Sequence, residues 1–219
     1  DAIHTELPGK EVSFAGPAVN WGGWDLLGLA NSCDYIFIMG YDFYGSWSSN
    51  SGASSPLTPN KGSSISIKNT VETQYAEVTN TKPHKLILGV PYYGQKWKTV
   101  DSLPHSVSAG YVGSTRFRDD AINSQLYGTL WANDTQTPWY RYQSAGVWYQ
   151  VWFDNDSSLG LKYQLAANKG FKGVGMWALN YDGNRPELWN ELRKRFYRTP
   201  SAADNKNHLP ENMILLSNY

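Results

Sequence analysis

Tyr41 and Asp42 are the residues whose type and placement first suggest chemistry. They set a phenol beside a carboxylate, one glycine after the apolar run Tyr35-Ile36-Phe37-Ile38-Met39. A hydroxyl and a carboxylate at the carboxyl end of a buried strand can face a ligand rather than the core. Taken alone, the pair is equally a Tyr and an Asp closing an ordinary strand-to-helix loop. The second indication is compositional: 10 Trp and 15 Tyr stand against only 7 Phe, so the aromatics are mostly those with an apolar face and a hydrogen-bonding edge. Sugars present C–H faces to stack on and hydroxyls to bond, and they suit that combination. A core rich in Trp and Tyr accounts for part of the same excess.

Composition excludes several classes. Nineteen basic and 19 acidic residues balance, leaving no net field to draw nucleic acid or an anionic membrane surface. No apolar run approaches the ~20 residues of a membrane span. Cys33 is the lone cysteine, which rules out an internal disulfide and zinc-finger spacing. The four histidines, His4, His84, His105 and His208, are scattered among turn residues and support no Ser-His-Asp arrangement. Asp119-Asp120 and Asp154-Asn155-Asp156 lack the Gly and distal Glu of a calcium loop, so they read as turn and N-cap residues. No metal or other cofactor is expected.

The elements that must position Tyr41 and Asp42 follow a regular rhythm. The run Ile36 to Met39 lacks alternation, as expected of a strand covered on both faces in a parallel sheet. A short strand over 11–19 precedes it, separated by a helix over 25–33. After Tyr44, residues 46–64 turn to Ser, Gly, Asn and Pro and read as an ordered loop beside a ligand groove. Residues 66–79 place Ile67, Val71, Tyr75 and Val78 on one helical face, and Lys85 to Pro91 is a further buried strand. Strand, helix, strand, helix, strand predicts parallel pairing with right-handed crossovers.

From Gln95 to Tyr149 the rhythm breaks into aromatics and turns, with Thr137 to Tyr142 roughly alternating, so a small antiparallel subdomain is expected there. A helix from Ser157 to about Lys169 stops at Gly170. A strand over 173–179 and a helix from Pro186 to about Arg198 close the pattern. Strand-helix units of this number make half of an eight-unit barrel, whose outer strands would leave bare edges. The segment is therefore expected either to belong to a longer chain or to self-associate.

These residues resemble glycoside hydrolase family 18, the chitinases and their relatives. Met39-Gly40-Tyr41-Asp42 matches the family's Met-x-Tyr-Asp motif of the sixth barrel strand, and Tyr44-Gly45-Ser46-Trp47 matches the loop after it. Leu88 to Gly94 matches the Leu-Gly-Val-Pro-Tyr-Tyr-Gly seventh strand, which an inserted α+β subdomain follows. Trp152 to Leu159 matches the returning Trp-Phe-Asp-Asp-x-x-Ser-Leu segment, and Gly173 to Gly183 the Gly-Val-Gly-Met-Trp-Ala-Leu-x-Tyr-Asp-Gly eighth strand. The motifs fall in family order, a far more specific signal than any one alone. The family's Asp-x-x-Asp-x-Asp-x-Glu, whose last residue is the catalytic acid, occurs nowhere in the chain.

The resemblance implies an α/β fold: a partial (β/α)8 TIM barrel comprising strands five to eight and their helices, with a small α+β insertion subdomain. Barrel units five to seven would occupy 1–94, the insertion 95–150, and units seven to eight 151–198. It implies substrate-assisted retaining hydrolysis of β-1,4-linked N-acetylglucosamine polymers. Tyr41 would hold the acetamido oxygen in line for attack, and Asp42 would stabilise the cationic intermediate. Trp177 would floor the sugar site beside Met39, Tyr93 would line the wall, and Trp47 would stack the sugar on the leaving-group side. Trp21, Trp24, Trp97, Trp139 and Trp148 weigh toward packing rather than extending the groove. The missing amino-terminal half of the barrel would be the partner, and the segment alone would be inactive. A non-catalytic lectin of the same fold and a peptidoglycan-directed enzyme are the alternatives. Residues 199–219 read as a polar linker and, from Asn212 to Tyr219, resemble the start of a secretion-sorting domain, which implies a secreted or cell-surface parent.

Overall fold

The computed structural model describes residues 2–197. The linker and sorting-type segment expected over 199–219 lie outside the described residues. A short helix, α1 (Ala2–Glu6), leads into strand β1 (Ser13–Pro17), helix α2 (Leu26–Ser32) and strand β2 (Tyr35–Met39). Asp25 caps α2 by accepting from the Gly28 amide at 2.8 Å, which uses an otherwise unpaired amide of the first turn.

The single helix expected over 66–79 is divided into α3 (Ile67–Asn69), a π-helical turn (Thr70–Gln74) and α4 (Ala76–Thr81). At the break Thr70 donates its hydroxyl to Ala18 O at 2.7 Å, and Tyr75 bonds Pro17 O at 2.9 Å. The widened turn lets both side chains reach the end of β1. The apolar face predicted from periodicity survives, with Ile67, Val71, Tyr75 and Val78 all at most 1% exposed.

Strand β3 (Leu86–Pro91) follows, and then a second sheet opens at once: β4 (Tyr93–Thr99), β5 (Ser108–Arg116), helix α5 (Phe117–Tyr127), β6 (Leu130–Ala132), β7 (Thr137–Ser144) and β8 (Val147–Trp152). Helix α6 (Asp156–Asn168), strand β9 (Gly173–Trp177) and helix α7 (Glu187–Phe196) complete the described chain. Helix α6 begins one residue before the expected Ser157, because Asn155 and Ser158 cap it reciprocally. Gly170, at φ 72°, ends it in the left-handed region.

Strands β1, β2, β3 and β9 form a parallel sheet in that order. Register pairs Pro17 with Met39, Met39 with Gly89, and Gly89 with Gly175. Because side chains alternate, Ile36, Ile38, Leu88, Val90, Val174 and Met176 share one face and join the main core with residues of α2, α6 and α7. The opposite face carries Tyr35, Phe37 and Ile87, with Met39 and Tyr41 packed against them. The Phe37 ring lies over Gly89 and Gly175, where an added Cβ would come within 2.5 Å of it. Both faces are apolar, which is why the sequence shows no alternation.

The second sheet is antiparallel, in the order β5-β4-β8-β7-β6. Its strands span Tyr93–Trp152, so it takes two residues at each end beyond the expected 95–150. Trp97, Trp139, Trp152, Ala53 and Ala132 are its buried core, with the Trp139 and Trp152 rings stacked 5.0 Å apart. Trp97 and Trp139 thus pack, as weighed from sequence. The alternation expected in Thr137–Tyr142 is absent: Thr137 to Tyr140 are all buried, because Trp139 meets Trp152 and Tyr140 meets Phe153.

The residues 46–64 form an ordered loop without regular elements, and 51–57 are all buried. Ser51 bonds Gln150 at 2.7 Å and Ser55 bonds Gly40 O at 2.6 Å, so the loop joins the two sheets by polar contacts. Among the described residues no helix is long and apolar enough to cross a membrane.

Candidate active site

Three neighbouring parallel strands deliver the candidate residues to one end of the sheet. Met39 ends β2, with Tyr41 and Asp42 just beyond it; Tyr93 lies two residues after β3; Trp177 ends β9, paired with Pro91. The side chains singled out from sequence thus meet at the carboxyl ends of these strands.

Asp42 is held from several sides. Its backbone sits at φ 58°, a conformation uncommon for a residue with a side chain. Its amide bonds Ser54 Oγ at 3.1 Å, which ties the turn to the buried loop. Tyr93 donates its hydroxyl to Asp42 Oδ1 at 2.6 Å, and Gln95 Nε2 donates to the same oxygen at 3.0 Å. Tyr111, on β5, in turn donates to Gln95 Oε1 at 2.5 Å. The antiparallel sheet therefore reaches across to orient a carboxylate carried by the parallel one. These bonds converge on Oδ1, and Oδ2 carries none of them.

Tyr41 is half-buried, and its ring meets Tyr93 edge-on at 6.1 Å. Burial, and secondarily the Asp42 charge, raise its phenol to about 12. It therefore keeps its proton throughout the physiological range and has it to offer to a hydrogen-bond acceptor. Burial and the Asp42 carboxylate likewise push Tyr93 far above the ordinary tyrosine range. Tyr93 is only 6% exposed, and it braces Asp42 more than it offers the open wall expected from sequence.

Two concavities flank Asp42. One, of about 260 Å³, is lined by Met39, Tyr41, Asp42, Trp47 and Trp21 above a mainly apolar floor. The other, of about 240 Å³, is lined by Asp42, Trp47, Tyr93, Gln95, Tyr111 and Trp177, with Ser114 and Tyr181. Asp42 and Trp47 line both, and all six residues singled out from sequence border one or the other. Trp177 is 47% exposed and Trp47 67% exposed, so neither is a core residue. Arg116 lies over the Tyr181 ring at 5.3 Å and steadies that side of the second concavity.

Sequence reasoning missed Ser54, Gln95 and Tyr111. Gln95 had a usable signal, since in an extended strand it shares a face with Tyr93. Tyr111 had none, because it is brought in by long-range pairing of β4 with β5. Trp21, weighed toward packing, is 83% exposed. Trp24 is 51% exposed but leans on Phe14, with ring centres 5.2 Å apart. Among the described residues no group of three or more His, Cys, Asp and Glu is placed to hold a metal ion.

The sheet order and the strand-end cleft define an α/β protein whose site combines a braced carboxylate, a protonated phenol and exposed indoles. The sequence model of Glycosyl hydrolases family 18 matches residues 3–182, and the chain belongs to that family. It is 29% identical to human di-N-acetylchitobiase over 231 residues, which cover 89% of this chain and 56% of the relative. It is 28% identical to the endochitinase of Brugia malayi over 191 residues, 77% of this chain and 36% of that protein.

Among solved structures, the class V chitinase from Nicotiana tobaccum superposes with a TM-score of 0.76 at 21% identity, over 90% of this chain and 61% of that one. The Ostrinia furnacalis group IV chitinase in complex with allosamidin gives 0.75 at 24% identity, over 87% and 58%. These likenesses show the α/β fold of chitinase barrels. The chain spans 56% of the human relative, somewhat over half its length.

Proposed function

We propose that the chain supplies the acetamido-binding half of the cleft of a chitinase-like hydrolase. Its substrates would be β-1,4-linked N-acetylglucosamine polymers, cleaved by the substrate-assisted retaining route. The observation that carries this is the convergence of Tyr41, braced Asp42 and exposed Trp177 at the same end of adjacent strands.

In this reading the acetamido oxygen of the bound sugar attacks its own anomeric carbon as the glycosidic bond breaks. Tyr41, kept protonated, donates to that oxygen and holds it in line, a positioning task that effective molarity rewards. Asp42 Oδ1 is fixed by Tyr93 and Gln95, so the carboxylate stands ready beside the cation without reorganising. Trp177 offers its indole as the apolar floor, and Trp47 stacks the sugar on the leaving-group side.

The proton donor comes from outside these residues, because the family's Asp-x-x-Asp-x-Asp-x-Glu is absent from the chain. The parallel sheet would correspond to strands five to eight of the barrel, and an amino-terminal half would complete it alongside β1. Two features support this. Strand β1 carries exposed residues at Ser13 and Ala15, on the face that Phe37 and Met39 occupy in β2. The matched relatives are also longer than the chain. The 219-residue chain should bind N-acetylglucosamine oligomers yet fail to cleave a chromogenic chitobioside. Cleavage by the purified chain would refute the missing donor, and absence of any oligomer binding would refute the site.

A further inference from the structure

We infer that Arg116 reads a carboxylate on the bound glycan, so that the cleft prefers β-1,4-linked N-acetylglucosamine chains whose neighbouring sugars carry an acidic substituent over neutral ones. The inference rests on the glycan-binding reading above and names the class of glycan which that reading leaves open.

Strand register sets the placement. Across the β4–β5 pair Tyr93 stands opposite Arg116 and Gln95 opposite Ser114, and residues directly opposite one another in an antiparallel pair share a face of the sheet. Tyr93 and Gln95 use that face to hold Asp42, so Ser114 and Arg116 point to the same side. Ser114 lines the second concavity, and the Arg116 guanidinium lies 5.3 Å over the ring of Tyr181, which lines it too. A positive charge thus stands at the rim of the polar concavity beside Asp42.

Its lack of polar partners sets Arg116 apart. Arg118 pairs with Asp119, Arg185 with Glu187 and Arg195 with Glu191, while Arg141 bonds Ser102 O and Arg193 bonds Asn190. Among the arginines of the described residues, the exposed Arg116 alone has a guanidinium with neither an ion pair nor a hydrogen bond. Its contact with Tyr181 draws on charge and spends no N–H. What remains is a planar fork of donors, shaped for two-point recognition of a carboxylate.

Asp42 limits where that carboxylate can sit. An anion beside Asp42 would be repelled, and Tyr93, opposite Arg116 in register, stands between them with its hydroxyl on Asp42. The acidic group must therefore lie toward Tyr181, on a sugar other than the one beside Asp42. A chain acidic at every second sugar meets both conditions, presenting a bare unit to Asp42 and its neighbour's carboxylate to Arg116. Alternation of N-acetylglucosamine with its 3-O-lactyl ether has that spacing.

The test is calorimetric titration of the 219-residue chain with three β-1,4-linked tetramers: neutral N-acetylglucosamine, the alternating lactyl ether, and the same ether with its carboxyls amidated. The acidic tetramer should bind about fivefold more tightly than the neutral one at low salt, as expected of a single well-aligned ion pair in water. High salt should shrink that advantage. The amidated tetramer, alike in shape but uncharged, should bind like the neutral one. Arg116→Gln should bind acidic and neutral tetramers alike, and Arg116→Lys should keep part of the preference. Equal affinity of the parent for acidic and neutral tetramers, a preference that survives Arg116→Gln, or an amidated tetramer as tight as the acid overturns the inference and leaves the proposed function standing. Binding of no tetramer overturns both.

Discussion

The two sheets of this protein do different work with similar materials. The parallel sheet divides its residues by face: aliphatic side chains such as Ile38, Leu88 and Val174 meet the helices, while Phe37, Met39 and Tyr41 line the face that leads to the cleft. The antiparallel sheet has its own indole core of Trp97, Trp139 and Trp152, and sends Tyr93, Gln95 and Tyr111 toward the cleft. One sheet carries the phenol–carboxylate pair, and the other orients the carboxylate. A carboxylate on a strand-end turn has few neighbours of its own, and a second sheet packed beside it supplies the donors that hold it.

If the two sheets are joined as described, the largest effect should come from the return between them. Lys162 of α6 and Asp154 are both fully buried and bonded to each other, and Ser158 bonds the same carboxylate oxygen at 2.6 Å. Lys162→Ala leaves a buried carboxylate unpaired and should lower the unfolding free energy by about 3–5 kcal/mol in urea titrations. Adding Asp154→Leu to Lys162→Met should recover most of the loss. A single variant as stable as the parent would mean that the pair does not join the sheets.

The antiparallel side should also show its own dependence on pH. Asp120 is fully buried, accepting from Thr115 at 2.6 Å and Tyr140 at 3.1 Å. Burial pushes its carboxyl up to about 7 from an unfolded value of 3.8. The folded protein then holds a proton that the unfolded chain releases across this interval. Its stabilising contribution is complete below about pH 4 and is lost as pH rises through about 7, with a slope approaching about 1.4 kcal/mol per pH unit. Asp120→Asn should flatten that slope in denaturation curves taken from pH 4 to 8. A slope unchanged by the substitution would assign it elsewhere.

The parallel side should respond instead to volume. A Cβ at Gly175 would press chiefly on the Phe37 ring, whereas one at Gly89 would also meet Ile38 O at 2.6 Å. Gly175→Ala and Gly89→Ala should each cost about 1–3 kcal/mol. Phe37→Leu should relieve the first more than the second, because a side chain can yield where a carbonyl in the sheet cannot. Equal relief would indicate that Phe37 alone sets both contacts.

Legibility differed between the sheets for the same physical reason that their roles differ. The parallel strands were readable as unbroken apolar runs, and Tyr41 and Asp42 followed from the end of one such run, whereas Trp177 came from the family resemblance. The π-helical break at Thr70 was not readable, because it depends on Ala18 O and Pro17 O lying within reach. Nor was Tyr111, whose role exists only through pairing of distant strands. The loop 46–64 read as ordered, but the placement of Ser51 and Ser55 between the sheets could not be inferred from its polar composition. Trp21 was visible as an aromatic and its exposure was not.

By itself the sequence determined the family motifs, the parallel rhythm and the phenol–carboxylate pair, since strand periodicity and short-range order are written in neighbouring residues. Tertiary structure alone decided that Tyr93 and Gln95 meet on one oxygen of Asp42, and that Trp21 stands in water beside Tyr41 while Trp97 is sealed away. Hydrogen bonds and burial depend on which distant segments come together, and two tryptophans of identical chemistry are told apart only by what packs against them.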